Sequence, residues 1–308
     1  MSLTFVCGAL RSGTTVFRLM LNSHPEIDNP SECDFLFDGC HSLLVEPELS
    51  EYVAFLRTSR IFLAHGLEIR PECDTYGKLV RDLVEQISGS DHLCLNIHRN
   101  FEYVHRYFPE AKFLHIVRDP RDVARSSIPM GWAGNTYNGV DHWISTESSW
   151  SRFAAQDHEA PVLEITYEDL ISDLGTTLGS VCEFLGVVYD PVMLDYHQSS
   201  TYAPPDISLL EQWRRKQSKR EVELVECKAR DLMLDRGYQL VNVSPRPPGL
   251  VESYWLRIAN KFYTSMFVIR RYGFFLALLR KFALRFDRLP GSTGILLRVN
   301  QIDKRHLK

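Results

Sequence analysis

The first apolar run of the chain, Leu3-Thr-Phe-Val-Cys7, passes directly into Gly8-Ala-Leu-Arg-Ser-Gly-Thr-Thr15. After it, Val16, Phe17, Leu19, Met20 and Leu21 trace an apolar helix that stops at Asn22-Ser-His-Pro25. A strand, a glycine-bounded loop and a helix in that order aim backbone N–H groups and a helix N-terminus at one spot, which suits a phosphate. Gly8 and Gly13 allow the tight path, and Thr14 and Thr15 add hydroxyl donors at the first helical turn. The same alternation continues downstream. Tyr76, Leu79, Val80, Leu83, Val84 and Ile87 mark an amphipathic helix, and Leu93–Ile97 and Lys112–Val117 read as strands. Asp119-Pro120 starts a further helix. Val162–Thr166 is a fourth strand, and the helical face from Leu174 to Leu185 closes at Gly186. Strands alternating with helices predict right-handed crossovers and an α/β fold, a P-loop-like three-layer sandwich around a central parallel sheet.

Bulk properties set the outer limits. The 308 residues suit one large α/β domain or two small ones, and 44% hydrophobic with 24% charged residues supports a sizeable core. A net charge of -4 argues against a generally nucleic-acid-seeking protein. The charge is uneven: residues 250–308 hold twelve Lys and Arg against three Asp and Glu, about +9, and the first 249 residues are about −13. Ser244-Pro-Arg-Pro-Pro-Gly249 marks the boundary, so the expectation is a domain over 1–245 and a basic, aromatic-rich helical extension over 246–308 packed on it. Tyr254-Trp255, Phe262-Tyr263, Phe274-Phe275 and Phe282 interleave with Arg and Lys there. A basic amphipathic helix suits a membrane surface, through 250–290, or a lipid-linked acceptor. A pair of helices packed on the body or on a homodimer partner is the plainer use of the same pattern. Arg270, Arg271, Arg280, Lys281 and Arg285 put too many charges into Phe262–Phe286 for a span. Seven cysteines without CxxC or Cys/His metal spacing predict reduced thiols in a cytoplasmic protein, and the fold's start at Leu3 leaves no signal peptide before it.

The loop nearly fits GxxxxGK[ST], but Thr14 stands where that pattern has lysine. The lysine serves the β- and γ-phosphates and the next hydroxyl holds magnesium, so its loss argues against ATP or GTP hydrolysis. Arg11 offers a cation from within the loop instead.

Leu10-Arg-Ser-Gly-Thr-Thr-Val-Phe-Arg18 followed by Leu-Asn-Ser-His-Pro25 closely resembles the 5′-phosphosulfate-binding segment of the sulfotransferase family. It is most similar to bacterial sulfotransferases and tyrosylprotein sulfotransferases. The resemblance implies 3′-phosphoadenosine 5′-phosphosulfate (PAPS) as co-substrate and PAP as product, held by Arg11, Ser12, Gly13, Thr14 and Thr15. A second family signature binds the 3′-phosphate through an Arg at a strand end and a Ser eight residues on. Ile116-Val-Arg-Asp-Pro-Arg-Asp-Val-Ala-Arg-Ser-Ser127 places Arg118 and Ser126 at that spacing. Ile165-Thr-Tyr-Glu-Asp-Leu170 is similar to the segment whose tyrosine lies near the adenine, which assigns Tyr167. The resemblance covers residues 3 to 240 and extends to Trp213 and the helix closing at Gly237-Tyr238; residues 250–308 have no counterpart in it.

Sulfuryl transfer needs positioning, charge stabilisation and a general base, and its donor group carries too little charge to require a metal. No metal is expected. By the resemblance, Glu32 occupies the position of the catalytic glutamate of the tyrosylprotein enzymes, and His98 that of the catalytic histidine of the cytosolic ones. Glu32 is slightly favoured as base, with His98 in the same cleft. Asn96 stands where the family usually has a lysine that neutralises the sulfuryl group, so either Arg11 or Arg99 supplies that cation or activity is reduced. Gly131-Trp-Ala-Gly-Asn-Thr-Tyr-Asn-Gly139 reads as a mobile loop that covers an acceptor with Trp132 and Tyr137, or as an ordinary packed loop. The expected activity is sulfuryl transfer from PAPS to a hydroxyl or amine of a small molecule, a glycan or a lipid-linked acceptor. A nucleotide-dependent kinase-like protein and a catalytically weak PAP-binding module are the rival readings.

Overall fold

The computed structural model describes residues 2–156, 159–198, 200–285 and 291–304. Its centre is one sheet of five parallel strands: β1 (Ser2–Cys7), β2 (Ile27–Asp28), β3 (His92–Ile97), β4 (Lys112–Val117) and β5 (Val162–Thr166). Their order across the sheet is β2-β3-β1-β4-β5. In β1, β3 and β4 every residue after the first is buried, as befits central strands covered on both faces. Alternate residues serve the two faces. Phe5, Leu95, Ile97 and Phe113 pack against Leu79 and Leu83 of the Tyr76–Ile87 helix. Val6, Cys94, Leu114 and Ile116 pack against Phe17 and Met20 of the Thr14–Asn22 helix and Leu178 and Val181 of the Leu174–Leu185 helix. The three-layer sandwich expected from the alternation is therefore present.

The expected strands and helices lie where the pattern put them, and Gly186 closes its helix at a φ of 91. One strand escaped the sequence pattern. β2 is two residues long, too short to show any alternation, and is held by its pairing with His92 and Leu93. All seven cysteines are free, and Cys7, Cys33, Cys40, Cys94 and Cys182 are buried.

Beyond the Pro- and Gly-rich stretch the chain forms helices Leu250–Tyr272, Phe274–Arg285 and Ser292–Lys304. The end of the 250–290 stretch, residues 286–290, lies outside the described residues, as does 305–308. The Leu250–Tyr272 helix seats on the glycine-rich segment 131–139. The Gly134 amide donates to Asn260 Oδ1 at 2.7 Å, and Asn135 Nδ2 donates to the Leu256 carbonyl at 2.8 Å. A Cβ on Gly131 would stand 2.2 Å from the Phe267 ring. These glycines therefore serve close packing of a helix, which fits the packed loop of the two alternatives rather than the mobile acceptor cover. Tyr137 lies under the Lys228 ammonium, 4.1 Å from its ring centroid, so of the two aromatic rings assigned to stacking only Trp132 stands exposed.

Candidate functional site

The key residues follow directly on strand ends: Gly8 after β1, His98 after β3, Arg118 after β4 and Tyr167 after β5. Carboxyl ends of parallel strands open on one edge of the sheet, and ligands bind where the strand order reverses. Here β1 has β3 on one side and β4 on the other, so the loop 8–15 emerges between His98 and Arg118. Gly8 lets it leave beneath β4, since a Cβ there would lie 2.5 Å from the Ile116 carbonyl oxygen. Arg11 takes a left-handed backbone, φ 73, a conformation costing about 1–3 kcal/mol outside glycine. Its side chain crosses to the next unit, where Nε donates to Ser126 Oγ at 2.9 Å. Gly13, φ 87, passes so near Tyr167 that a Cβ would meet its ring at 2.2 Å. The Thr14–Asn22 helix then begins with no acidic residue in its first turn and no side-chain cap among the described residues.

Arg11, Arg118, Ser126 and Tyr167 thus converge on one cleft of about 580 Å³. The Arg118 guanidinium lies over the Tyr167 ring, 4.1 Å from its centroid, and donates to the Arg11 and Leu209 carbonyls at 3.2 Å each. Arg125 and Lys216 also line the cleft, joined by Arg125 Nη1 donating to the Lys216 carbonyl at 2.9 Å. Neither was found in the sequence. Arg125 adjoins Ser126 without belonging to the Arg–Ser spacing, and Lys216 reaches the cleft from a separate turn, Trp213–Lys216. Burial pulls the Arg11 pKa down, and nearby Arg118 acts in the same sense. Arg118 Nε and Ser12 Oγ are buried and find no partner among the described residues. Arg11, Arg118, Arg125 and Lys216 on its lining give the cleft the charge to fit a multiply phosphorylated nucleotide.

The second half of the site lies on the β3 side of the loop. His98 is buried, with Nε2 3.3 Å from Thr14 Oγ1 and Nδ1 2.8 Å from Asp34 Oδ2. The His98 amide donates to Asp34 Oδ1 at 2.7 Å, and Thr146 Oγ1 donates to the His98 carbonyl at 2.8 Å. Asn96 is buried too. It donates from Nδ2 to the Thr14 carbonyl at 3.1 Å and accepts from Asn29 Nδ2 at 2.9 Å, which ties the loop to the sheet. The Cys33 amide donates to the Asn96 carbonyl at 2.7 Å, drawing the segment after β2 alongside β3. That contact brings half-buried Glu32 up to the pair, so Glu32, Asp34 and His98 each place one ligating atom within 4.8 Å of the others. Arg99, the other expected cation, forms a double bond pattern with Asp38, at 2.6 and 2.8 Å. Asp34 was not read as a site residue, because its pairing with His98 joins segments far apart in sequence.

Burial disfavours a charged His98, but the Asp34 carboxylate outweighs it and raises the imidazole pKa above its ordinary 6.5. Burial likewise raises Asp34, and His98 then brings its carboxyl net below the ordinary 3.8. The raised histidine contributes stability in full below 6.5 and loses it as pH rises through its folded value. The lowered carboxyl contributes above 3.8 and loses it as pH falls through its own. Removing one partner of a buried pair costs about 3–5 kcal/mol. The Tm deficit of Asp34→Asn is therefore expected to be largest between those limits and to shrink in alkali. Melting curves across pH check this, and a deficit independent of pH would show that the pair is not charged.

The family model described as the sulfotransferase family matches residues 4–191, a span that contains the loop, Glu32, His98, Arg118, Ser126 and Tyr167. The chain belongs to the sulfotransferase family. This sulfotransferase is 24% identical over 215 residues to a putative protein-tyrosine sulfotransferase of Caenorhabditis briggsae, covering 64% of this chain and 69% of that one. It is 23% identical over 222 residues to protein-tyrosine sulfotransferase 2 of Gallus gallus, covering 68% of this chain and 57% of that protein. Among solved structures, the sulfotransferase domain from the curacin biosynthetic pathway matches with a TM-score of 0.58 at 19% identity, over 78% of this chain and 98% of that one. The sulfotransferase domain of the Synechococcus PCC 7002 olefin synthase matches with a TM-score of 0.54 at 20% identity, over 74% and 94%. Membership makes the chain a transferase of sulfuryl groups with PAPS as co-substrate. Among the described residues, no helix is long and apolar enough to cross a membrane.

Proposed function

We propose that this sulfotransferase holds PAPS along the Arg11–Arg118 cleft and uses Glu32 to take the proton of an acceptor hydroxyl or amine. The convergence of Arg11, Arg118 and Ser126 on one cleft carries the reading, because two guanidinium groups and a hydroxyl there can donate to phosphate oxygens. Arg11, Gly13, Thr14 and Thr15 of the cleft lining, with Ser12 of the same loop, take the 5′-phosphosulfate, and Arg118 with Ser126 takes the 3′-phosphate. Tyr167 takes the adenine, which requires Arg118 to leave the ring face it covers. The acceptor oxygen or nitrogen attacks sulfur, the bond from sulfur to the bridging phosphate oxygen breaks, PAP leaves with the electron pair and the proton passes to Glu32. His98, whose protonated form the Asp34 carboxylate favours, donates toward the transferring group. That role supplies the charge missing at Asn96, whose buried amide is committed to Thr14 and Asn29.

Residues 1–245 form the catalytic domain in this reading and 246–308 its extension. The acceptor is a small molecule, a glycan or a lipid-linked hydroxyl or amine. The protein is cytoplasmic and peripheral to a membrane through 250–290, and a homodimer is the competing use of those helices.

The Glu32, Asp34 and His98 atoms also form a set able to take a divalent cation, so metal belongs in the test. PAP is expected to raise the Tm in EDTA, with ADP and magnesium having little effect. Stabilisation by ADP only in the presence of metal would overturn the reading in favour of a kinase-like protein. Labelled PAPS that binds but transfers to no member of a broad acceptor panel would favour a PAP-binding module.

A further inference from the structure

The extension turns its large side chains away from the protein. On the Leu250–Tyr272 helix, Leu250, Val251, Tyr254, Trp255, Ile258 and Phe262 succeed one another in steps of about one turn. Leu250 is 93% exposed, Trp255 62% and Phe262 69%. On the Phe274–Arg285 helix, Phe274, Phe275, Leu278, Leu279 and Phe282 repeat the spacing, and Phe275 is 80% exposed. The face that grips the body, through Leu256, Asn260, Tyr263 and Phe267, lies opposite the first stripe. A helix fixed by one face ordinarily turns polar residues to water. Here the solvent side is apolar instead, and contiguous apolar surface of this kind marks an interaction site.

Charge decides the partner. Arg257, Lys261, Arg270 and Lys281 are exposed on these helices. Among the described residues the acidic groups are paired: Glu252 with Arg220 at 2.5 Å, and Asp303 with Arg271 at 3.1 Å. A second copy of the same surface would set one extension of about +9 against another. A bilayer with anionic headgroups accepts the apolar stripe and the cations together, with Tyr254 and Trp255 suited to its interface. We propose that the two helices dock in plane on an anionic phospholipid surface. The docked helix is one segment away from the cleft, because it grips residues 131–135 while Ile128 and Pro129, just before them, line the cleft. Docking would therefore hold the mouth of the site beside the bilayer, where a lipid-linked acceptor resides. The surface itself does not depend on the assignment of the catalytic residues.

The test is sedimentation of the full chain with phosphatidylcholine vesicles containing none or about 30% phosphatidylglycerol, at low and high salt. Binding to the anionic vesicles is expected to exceed binding to the neutral ones by about tenfold or more and to fall with salt. Trp255→Ser with Phe262→Ser is expected to lower it by about tenfold or more, as is Arg257→Glu with Lys261→Glu. The Tm shift caused by PAP serves as the fold control and should persist in both variants. Absence of binding to anionic vesicles, or equal binding by wild type and variants, overturns the proposal. So does a dimer seen by light scattering that Trp255→Ser with Phe262→Ser dissociates while vesicles capture nothing.

Discussion

Arg118→Ala is expected to weaken PAP binding by about 10- to 100-fold, read by calorimetry. A hydrogen bond to a charged group contributes about 1.5–3 kcal/mol, and each 1.4 kcal/mol is a factor of ten. The loss should sit near the top of that range. Arg118 lines the cleft and props the loop through the Arg11 carbonyl, so its removal takes away both a charge and a brace. Arg118→Lys should recover little of it, since an ammonium cannot reproduce the planar fork that meets a phosphate with two parallel bonds. Adenosine 5′-phosphosulfate, which lacks the 3′-phosphate, should discriminate poorly between wild type and variant. If PAP binding fell by less than threefold, the 3′-phosphate would have to lie elsewhere, with Arg125 and Lys216 the next residues to replace.

The largest effect on turnover is expected from Glu32→Gln. General-base catalysis contributes about 10²- to 10⁴-fold, so kcat should fall by that much while PAP affinity stays within about twofold. His98 separates from Glu32 by the sign of its pH dependence. Its pKa is raised, and a donor that must be protonated loses activity as pH rises through that value. A base that must be neutral would gain activity over the same interval. A wild-type rate that climbs through the histidine titration, together with mild behaviour of Glu32→Gln, would transfer the base role to His98. The geometry permits a direct comparison, because Glu32 and His98 reach within 4.8 Å of each other.

The donor half was legible in the sequence because its signals are local. Gly8 and Gly13 bracket a loop between a strand and a helix, and Arg118 and Ser126 lie on one strand–helix unit. The missed features depend on pairing between distant segments. β2 exists only through its ladder to β3, and Asp34 acquires meaning only when the Cys33 contact with Asn96 draws it to His98. Lys216 enters from a turn that nothing in its own neighbourhood ties to a phosphate. The glycines at 131 and 134 left two readings open, a mobile cover and a packed loop, for a related reason. Their composition signals mobility, and the helix that uses them as a seat begins at Leu250.

The placement of Gly8, His98, Arg118 and Tyr167 immediately after four strands divides the molecule by tolerance to change. A residue one bond beyond a strand inherits the rigidity of the sheet, and its neighbours further out do not. The nucleotide grip is thereby insulated from the lengths of the connections that follow. Segments such as 37–75 and 128–140 can lengthen, shorten or recruit another helix without moving those anchors, so a lineage can change what it sulfates while keeping how it holds the donor.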